Sequence, residues 1–263
     1  MKLVIDIGNS QIYAGLFDGK ALVSRFRRIT QRGASSDELG LFFRQAVREN
    51  GNDPGAIDAV GFCSVVPDLN HSMVNACRRY FDLEPFVLRA GVRTGLKIRY
   101  KNPAEVGADR IAGAVGAVAR YPGRNLIIID FGTATTVEAV GSGQEYLGGA
   151  IVPGLGISMR ALEQNTARLP KVEIVRPGNA CGRSTVESIQ SGLYWGHVGL
   201  IREIRNRIGL ECFGASEPVV IGTGGFASLL ADADLFSEVH PDLVLEGVRI
   251  AQDMNAPETC LLY

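Results

Sequence analysis

Residues Lys2-Leu-Val-Ile-Asp-Ile-Gly-Asn-Ser10 run from an apolar strand, through a carboxylate at Asp6, into a small-residue turn. The same order returns about 120 residues later as Asn125-Leu-Ile-Ile-Ile-Asp-Phe-Gly-Thr133, with Asp130 in the place of Asp6. A repeat at so long a period predicts two similar halves rather than a solenoid. The residues after each copy agree. Residues 12–17 and 137–140 read as second strands, and 145–149 as a third in the later copy. Asp18-Gly19 is a hairpin signal that returns the chain along 21–26.

Further along, Leu39, Leu41, Phe42, Ala46 and Val47 recur at helical spacing and predict a helix over 36–49, with Ser36-Asp37 as its cap. A buried-type strand is expected over 59–66, closed by Pro67, then a helix over 69–81 and a strand over 84–88. A helix-like run occupies 111–120. Helices are expected at 158–166 and 185–208, and a last strand over 218–222 runs into Thr223-Gly-Gly-Phe-Ala227. Alternating strands and helices define an α/β chain. Pro122-Gly123 marks the break between halves, giving domains 1–121 and 122–263.

Composition narrows the class. The chain has 263 residues, 46% of them hydrophobic, enough for a real core and too apolar for intrinsic disorder. With 27 basic against 28 acidic residues, nothing argues for nucleic acid as a partner. Glycine stands out at 32 residues, which points to many turns or close backbone approaches. Five cysteines (63, 77, 181, 212 and 260) contain no Cys-x-x-Cys pair, and the three histidines, His71, His197 and His240, lie far apart. A disulfide framework, a zinc ribbon and a zinc hydrolase are all disfavoured. The apolar start is stopped by Asp6 and Gly8, and no stretch suits a bilayer, so a cytoplasmic protein without a membrane partner is expected.

Three motifs can carry chemistry. In Asp6-x-Gly8-Asn9-Ser10 and Asp130-x-Gly132-Thr133, glycine lets backbone N–H groups approach phosphate oxygens, and the hydroxyl and amide side chains add hydrogen bonds. A carboxylate there does not bind phosphate but can hold a cation that does. Read singly, each motif is equally an ordinary hairpin turn. Gly107-Ala108-Asp109-Arg110 sets a carboxylate beside a guanidinium at a helix start. That suits a general base with an anion clamp, or an N-cap with a surface ion pair. Gly222-x-Gly224-Gly225 and Gly154-x-Gly156 lack the spacing of a dinucleotide fingerprint.

Taken in order, Asp6-Ile-Gly-Asn-Ser10, Gly107-Ala-Asp-Arg110, Asp130-Phe-Gly-Thr-Ala-Thr-Thr136, Gly148-Gly-Ala-Ile-Val-Pro-Gly154 and Gly222-Thr-Gly-Gly225 resemble the type III pantothenate kinases. Those kinases belong to the acetate kinase, sugar kinase, Hsp70 and actin superfamily. The resemblance implies two ribonuclease-H-like, actin-like ATPase halves with a nucleotide cleft between them. It implies ATP-dependent phosphorylation of pantothenate, the first step toward coenzyme A. On this resemblance Asp6, Gly8, Asn9, Ser10, Gln11 and Thr133 would bind ATP, and 222–227 would lie near the adenosine. Tyr100, Gly107, Ala108, Asp109 and Arg110 would bind pantothenate, with Asp109 as catalytic base. Thr185 would reach the pantothenate of a neighbouring subunit. Asp130 would hold a monovalent cation, potassium or ammonium, while Mg2+ accompanies ATP. Where many members have Thr followed by Asn, His or Arg, this chain has Ser10 and Gln11; serine keeps the hydroxyl. The rival readings are a non-catalytic accessory regulator of the same family and another phosphotransferase on the same fold.

A homodimer is expected through the 185–208 helix. Ile189, Leu193, Ile201, Ile204 and Ile208 form an apolar stripe, and Gly192, Gly196 and Gly199 recur where close backbone approach would be useful. Tyr194 and Trp195 are large anchors of the kind enriched at interfaces. The alternative is that this helix packs only within its own chain.

Overall fold

The computed structural model describes residues 1–256, so Cys260 lies outside the described residues. Lys2–Ile7 forms β1 and pairs antiparallel with β2 (Gln11–Asp18), Asp6 opposite Tyr13 and Ile7 opposite Ile12. β3 (Ala21–Ile29) completes the meander. The hairpin falls one residue later than expected. Its central residues are Gly19 and Lys20, and Gly19 carries the positive φ of 56°. Glycine at the first central position accommodates that positive φ without strain. β4 (Ala59–Ser64) lies parallel to β1 on its other side, and β5 (Phe86–Val87) parallel to β4, giving the order β3-β2-β1-β4-β5.

The second sheet repeats this plan. β7 (Leu126–Phe131), β8 (Ala134–Gly141) and β9 (Glu145–Pro153) form the meander, and β10 (Val219–Thr223) and β11 (Glu238–Val239) add in parallel. The order β9-β8-β7-β10-β11 matches the first sheet, extended by the two-residue β6 (Lys97–Ile98) beside β9. This is the ribonuclease-H-like arrangement, present twice.

Helices cover the sheets for local reasons. α1 (Ser36–Glu49) starts with a capping box set one residue earlier than expected. Ser35 Oγ accepts from the Glu38 N–H at 3.2 Å, and Glu38 Oε2 accepts from the Ser35 N–H at 2.7 Å. Those bonds satisfy two orphan donors of the first turn. α2 (Pro67–Phe81) uses Pro67 as its first residue rather than after it as a stop, since a helix start needs no N–H there. α1 and α2 cover Leu3, Ile5 and Ile7, while the opposite face, with Val4, meets α6 (Leu243–Met254). The period-2 rule therefore puts Asp6 on the α6 face. In the second sheet Ile127, Ile129 and Phe131 face α5 (Thr185–Phe213), so Asp130 again points the other way. The remaining helices are α3 (Ala108–Arg120) and α4 (Leu155–Asn165). No helix among the described residues is long and apolar enough to cross a membrane.

The described residues form two compact units. One contains Met1–Leu96, Asn102–Gly116 and α6; the other contains Lys97–Lys101 and Ala117–Asp242. A single cut after residue 121 differs from this division, because α6 packs on β1 and β4 of the first sheet.

α5 is longer than expected, and its apolar stripe has a different role. Ile189, Leu193 and Ile201 are buried in the core of their own unit, with Ile204 and Ile208 packed against it. Tyr194 is also inside, 1% exposed, so only Trp195 of the two expected anchors stays out, at 40%. The stripe thus argues for intrachain packing. Gly192, Gly196 and Gly199 lie on the other face, where an added Cβ would meet nothing within 4 Å.

Candidate active site

The first turn, 8–11, is closed by the Gly8 N–H donating to the Gln11 carbonyl at 3.1 Å. Thr30, just past β3, braces it from outside. Its hydroxyl donates to the Gly8 carbonyl at 2.6 Å and its N–H to the Ser10 carbonyl at 3.0 Å. A single threonine after a strand carries no sequence signal, so this brace was not foreseen. Asn9, Ser10 and Gln11 are exposed at the tip, and Asp6 is half-buried at the base. There Cys63 on β4, directly beside Asp6, donates its thiol proton to Asp6 Oδ1 at 3.3 Å. Burial, then the negative charge of Asp6, then that of Asp109, push the Cys63 pKa well up. One buried sulfur therefore feels both carboxylates.

Gly107 to Arg110 form the start of α3, with the Ile111 N–H bonded to the Gly107 carbonyl at 3.1 Å. Asp109 Oδ1 accepts the Arg110 backbone N–H at 2.7 Å. The carboxylate leans back over Gly107, where a Cβ would sit 2.5 Å from that same oxygen. Glycine here is a requirement of the carboxylate's position. Ala108 and Arg110 are half-buried alongside.

The second turn is one residue shorter. Asp130 lies opposite Thr136 and Phe131 opposite Thr135, with Thr133 exposed at the tip. Gly224, at φ 88°, abuts the Asp130 carboxylate; a Cβ there would collide with Oδ1 and come within 2.7 Å of the Phe131 backbone. Gly132 flanks the same oxygen, at 3.3 Å from its hypothetical Cβ. Gly224 therefore makes way for Asp130, while Gly222 makes way for the Phe236 ring. Behind the turn, Thr135 Oγ1 and His197 Nε2 of α5 are 3.0 Å apart in the core, where burial pushes the imidazole pKa down.

Tyr100 belongs to the second unit, unlike Gly107 to Arg110. Its ring lies over Gly148 and 6.3 Å from the Tyr146 ring, and Tyr146 in turn donates to the buried Glu138. Thr185 is exposed in the first turn of α5 and lines a groove of about 910 Å³ with Ser158, Arg183 and Ser188. The structure thus gathers Asp6 to Gln11 around one turn and Asp130 and Thr133 around the other, and leaves Tyr100 and Thr185 in separate surroundings. Among the described residues no group of three or more His, Cys, Asp or Glu side chains could hold a metal ion.

A paired sheet plan with an aspartate at the same register in each copy defines the class: the actin, Hsp70 and sugar-kinase superfamily. Solved structures agree on this fold. A Baf-family protein of Campylobacter jejuni superposes with a TM-score of 0.61 at 19% identity, covering 96% of this chain and 98% of that one. A ROK family glucokinase of Streptomyces griseus, solved with glucose and AMPPNP, gives 0.51 at 15% identity, covering 96% and 99%. The sequence model of type III pantothenate kinase matches residues 2–207, and the chain belongs to that family. A type III pantothenate kinase of Legionella pneumophila (strain Paris) is 51% identical over 97% of this chain and 99% of its own length. One from Elusimicrobium minutum is 49% identical over the same shares.

Proposed function

We propose that the chain transfers the γ-phosphoryl group of ATP to the 4′-hydroxyl of pantothenate, releasing 4′-phosphopantothenate, ADP and a proton. The observation that carries this is kinship with pantothenate kinases along 97% of the chain, with Asp6, Asp109 and Asp130 all in place. The duplicated aspartate hairpin supports phosphoryl transfer, and the Gly107 to Arg110 motif supports the choice of acceptor.

Phosphoryl transfer asks mainly for positioning and charge neutralisation. Gly8, Asn9, Ser10 and Gln11 offer backbone N–H groups and side chains to ATP phosphates, and Thr133 adds a hydroxyl from the second turn. Asp6 would hold the magnesium that travels with ATP. Gly107, Ala108, Arg110 and Tyr100 hold pantothenate. Asp109 orients the acceptor hydroxyl and takes its proton, which in a loose transition state leaves after the phosphoryl group has begun to move. Asp130 would hold potassium or ammonium, and the residues fit: its carboxylate supplies hard oxygen donors, and no side chain at Gly132 or Gly224 crowds it. The cation would supply fixed positive charge near the phosphates. The enzyme works in the cytoplasm as a homodimer, with Thr185 of one copy at the pantothenate of the other.

The test is a coupled assay of ADP release with pantothenate as acceptor, with and without potassium. Pantothenate-dependent turnover is expected. ADP release that ignores pantothenate would point to another phosphotransferase, and none at all to an accessory regulator.

A further inference from the structure

Cys63 is 0% exposed and sits in an apolar cluster with Val4, Ala112, Leu245 and Val248. Packing there asks only for a small apolar group. A polar donor instead reaches Asp6 Oδ1 at 3.3 Å, from the β4 position that pairs directly with Asp6. The second sheet offers a control within the same chain. Thr223 holds the equivalent position beside Asp130, but its hydroxyl donates to the His240 carbonyl at 2.7 Å.

We propose that Cys63 is a positioning residue for Asp6, its thiol tying down one carboxylate oxygen and so fixing the orientation presented to magnesium-bound nucleotide. The inference rests on the reading of 6–11 as a phosphate motif. A thiol is a weak donor, but its bond to an ionised acceptor is strengthened by the charge. A carboxylate restrained before the ligand arrives has less freedom to lose on binding.

The experiment measures Mg-ADP binding to the full chain by calorimetry, alongside steady-state kinetics. Cys63→Ala and Cys63→Val both remove the donor, and they change the volume in opposite directions, so that one remains should the other fail to fold. Each is expected to weaken Mg-ADP binding up to about tenfold, the cost of ordering a side chain that is no longer restrained beforehand. Cys63→Ser, which keeps a donor, should stay near wild type, and KM for pantothenate should not move in any variant. Wild-type Mg-ADP affinity in Cys63→Val would overturn the proposal, and so would a Cys63→Ser loss as large as that of valine. Binding is read without the acceptor, so failure of the pantothenate reading would show separately, as absent turnover in the wild type.

Discussion

The two aspartate hairpins share a topology and a register, yet each is supported differently. Asp6 is held from the side by a buried thiol and lies in a turn braced by Thr30. Asp130 is enclosed by the glycines 132 and 224, in a turn backed by the Thr135–His197 pair. One plan thus yields a carboxylate that meets a buried thiol and a carboxylate closely approached by glycine backbone. Under the function proposed above, the first would serve the divalent ion carried by substrate and the second a monovalent cation.

The largest effect should come from the group that the repeat does not duplicate. Asp109→Asn removes the proton acceptor while keeping the shape, and kcat is expected to fall by ~10²–10⁴ with KM values little changed. Near-normal turnover would remove Asp109 from the mechanism. Gly107→Ala sharpens the point, because the new methyl would displace the Asp109 carboxylate without altering its chemistry. A loss of about 10² in kcat is the expected cost of an ångström-scale misplacement. If kcat is unchanged, the lean of Asp109 over Gly107 has no catalytic consequence.

Next comes the comparison itself. Replacing potassium by sodium should lower the rate of the wild type about tenfold, as when one charge-stabilising contact is lost. Asp130→Asn should be slow in both salts and Cys63→Val should keep the salt preference. Equal wild-type rates in the two salts would break the assignment of a cation to the second hairpin.

The open face of α5 gives a smaller and more conditional effect. Gly196→Glu places a charge where the structure leaves space, so the monomer should fold with an unchanged circular dichroism spectrum. If that face joins two copies, light scattering will show a monomer, and pantothenate KM will rise because Thr185 is withdrawn. A variant that remains dimeric would move the interface elsewhere.

Much of this was legible in the sequence, and the omissions have physical causes. The strand–Asp–turn repeat gave away two like halves because period and chemistry coincide at Asp6 and Asp130. β6 and β11 escaped because each is two residues long and, unlike β5 with its flanking Leu83 and Leu88, lies among charged and polar neighbours that mask it. The return of α6 to the first sheet is a long-range packing choice, invisible to local pattern. So is the Cys63–Asp6 bond, which depends on the β1–β4 register across 57 positions. The α5 stripe was legible as a stripe, but an apolar face does not say whether its own sheet or another chain will cover it.

His197 gives the finest distinction between the two hairpins, since residues 8–11 of the first turn carry no ionisable side chain. Its imidazole is buried against Phe131 and beside Thr135, and desolvation holds its folded pKa below the usual histidine value. Linkage sets the sign. Well above the ordinary histidine pKa of about 6.5, both folded and unfolded forms are neutral and the group contributes no pH dependence. As pH falls through that value the unfolded chain takes up a proton that the folded chain refuses, so stability is lost. Thermal melts from pH 7.5 to 5.5 should therefore show a falling Tm. His197→Gln, which can still bond to Thr135 but does not titrate, should flatten the slope at some cost in Tm at pH 7.5. An unchanged slope in the variant would place the acid sensitivity of the protein in other groups and leave the Thr135–His197 pair as packing.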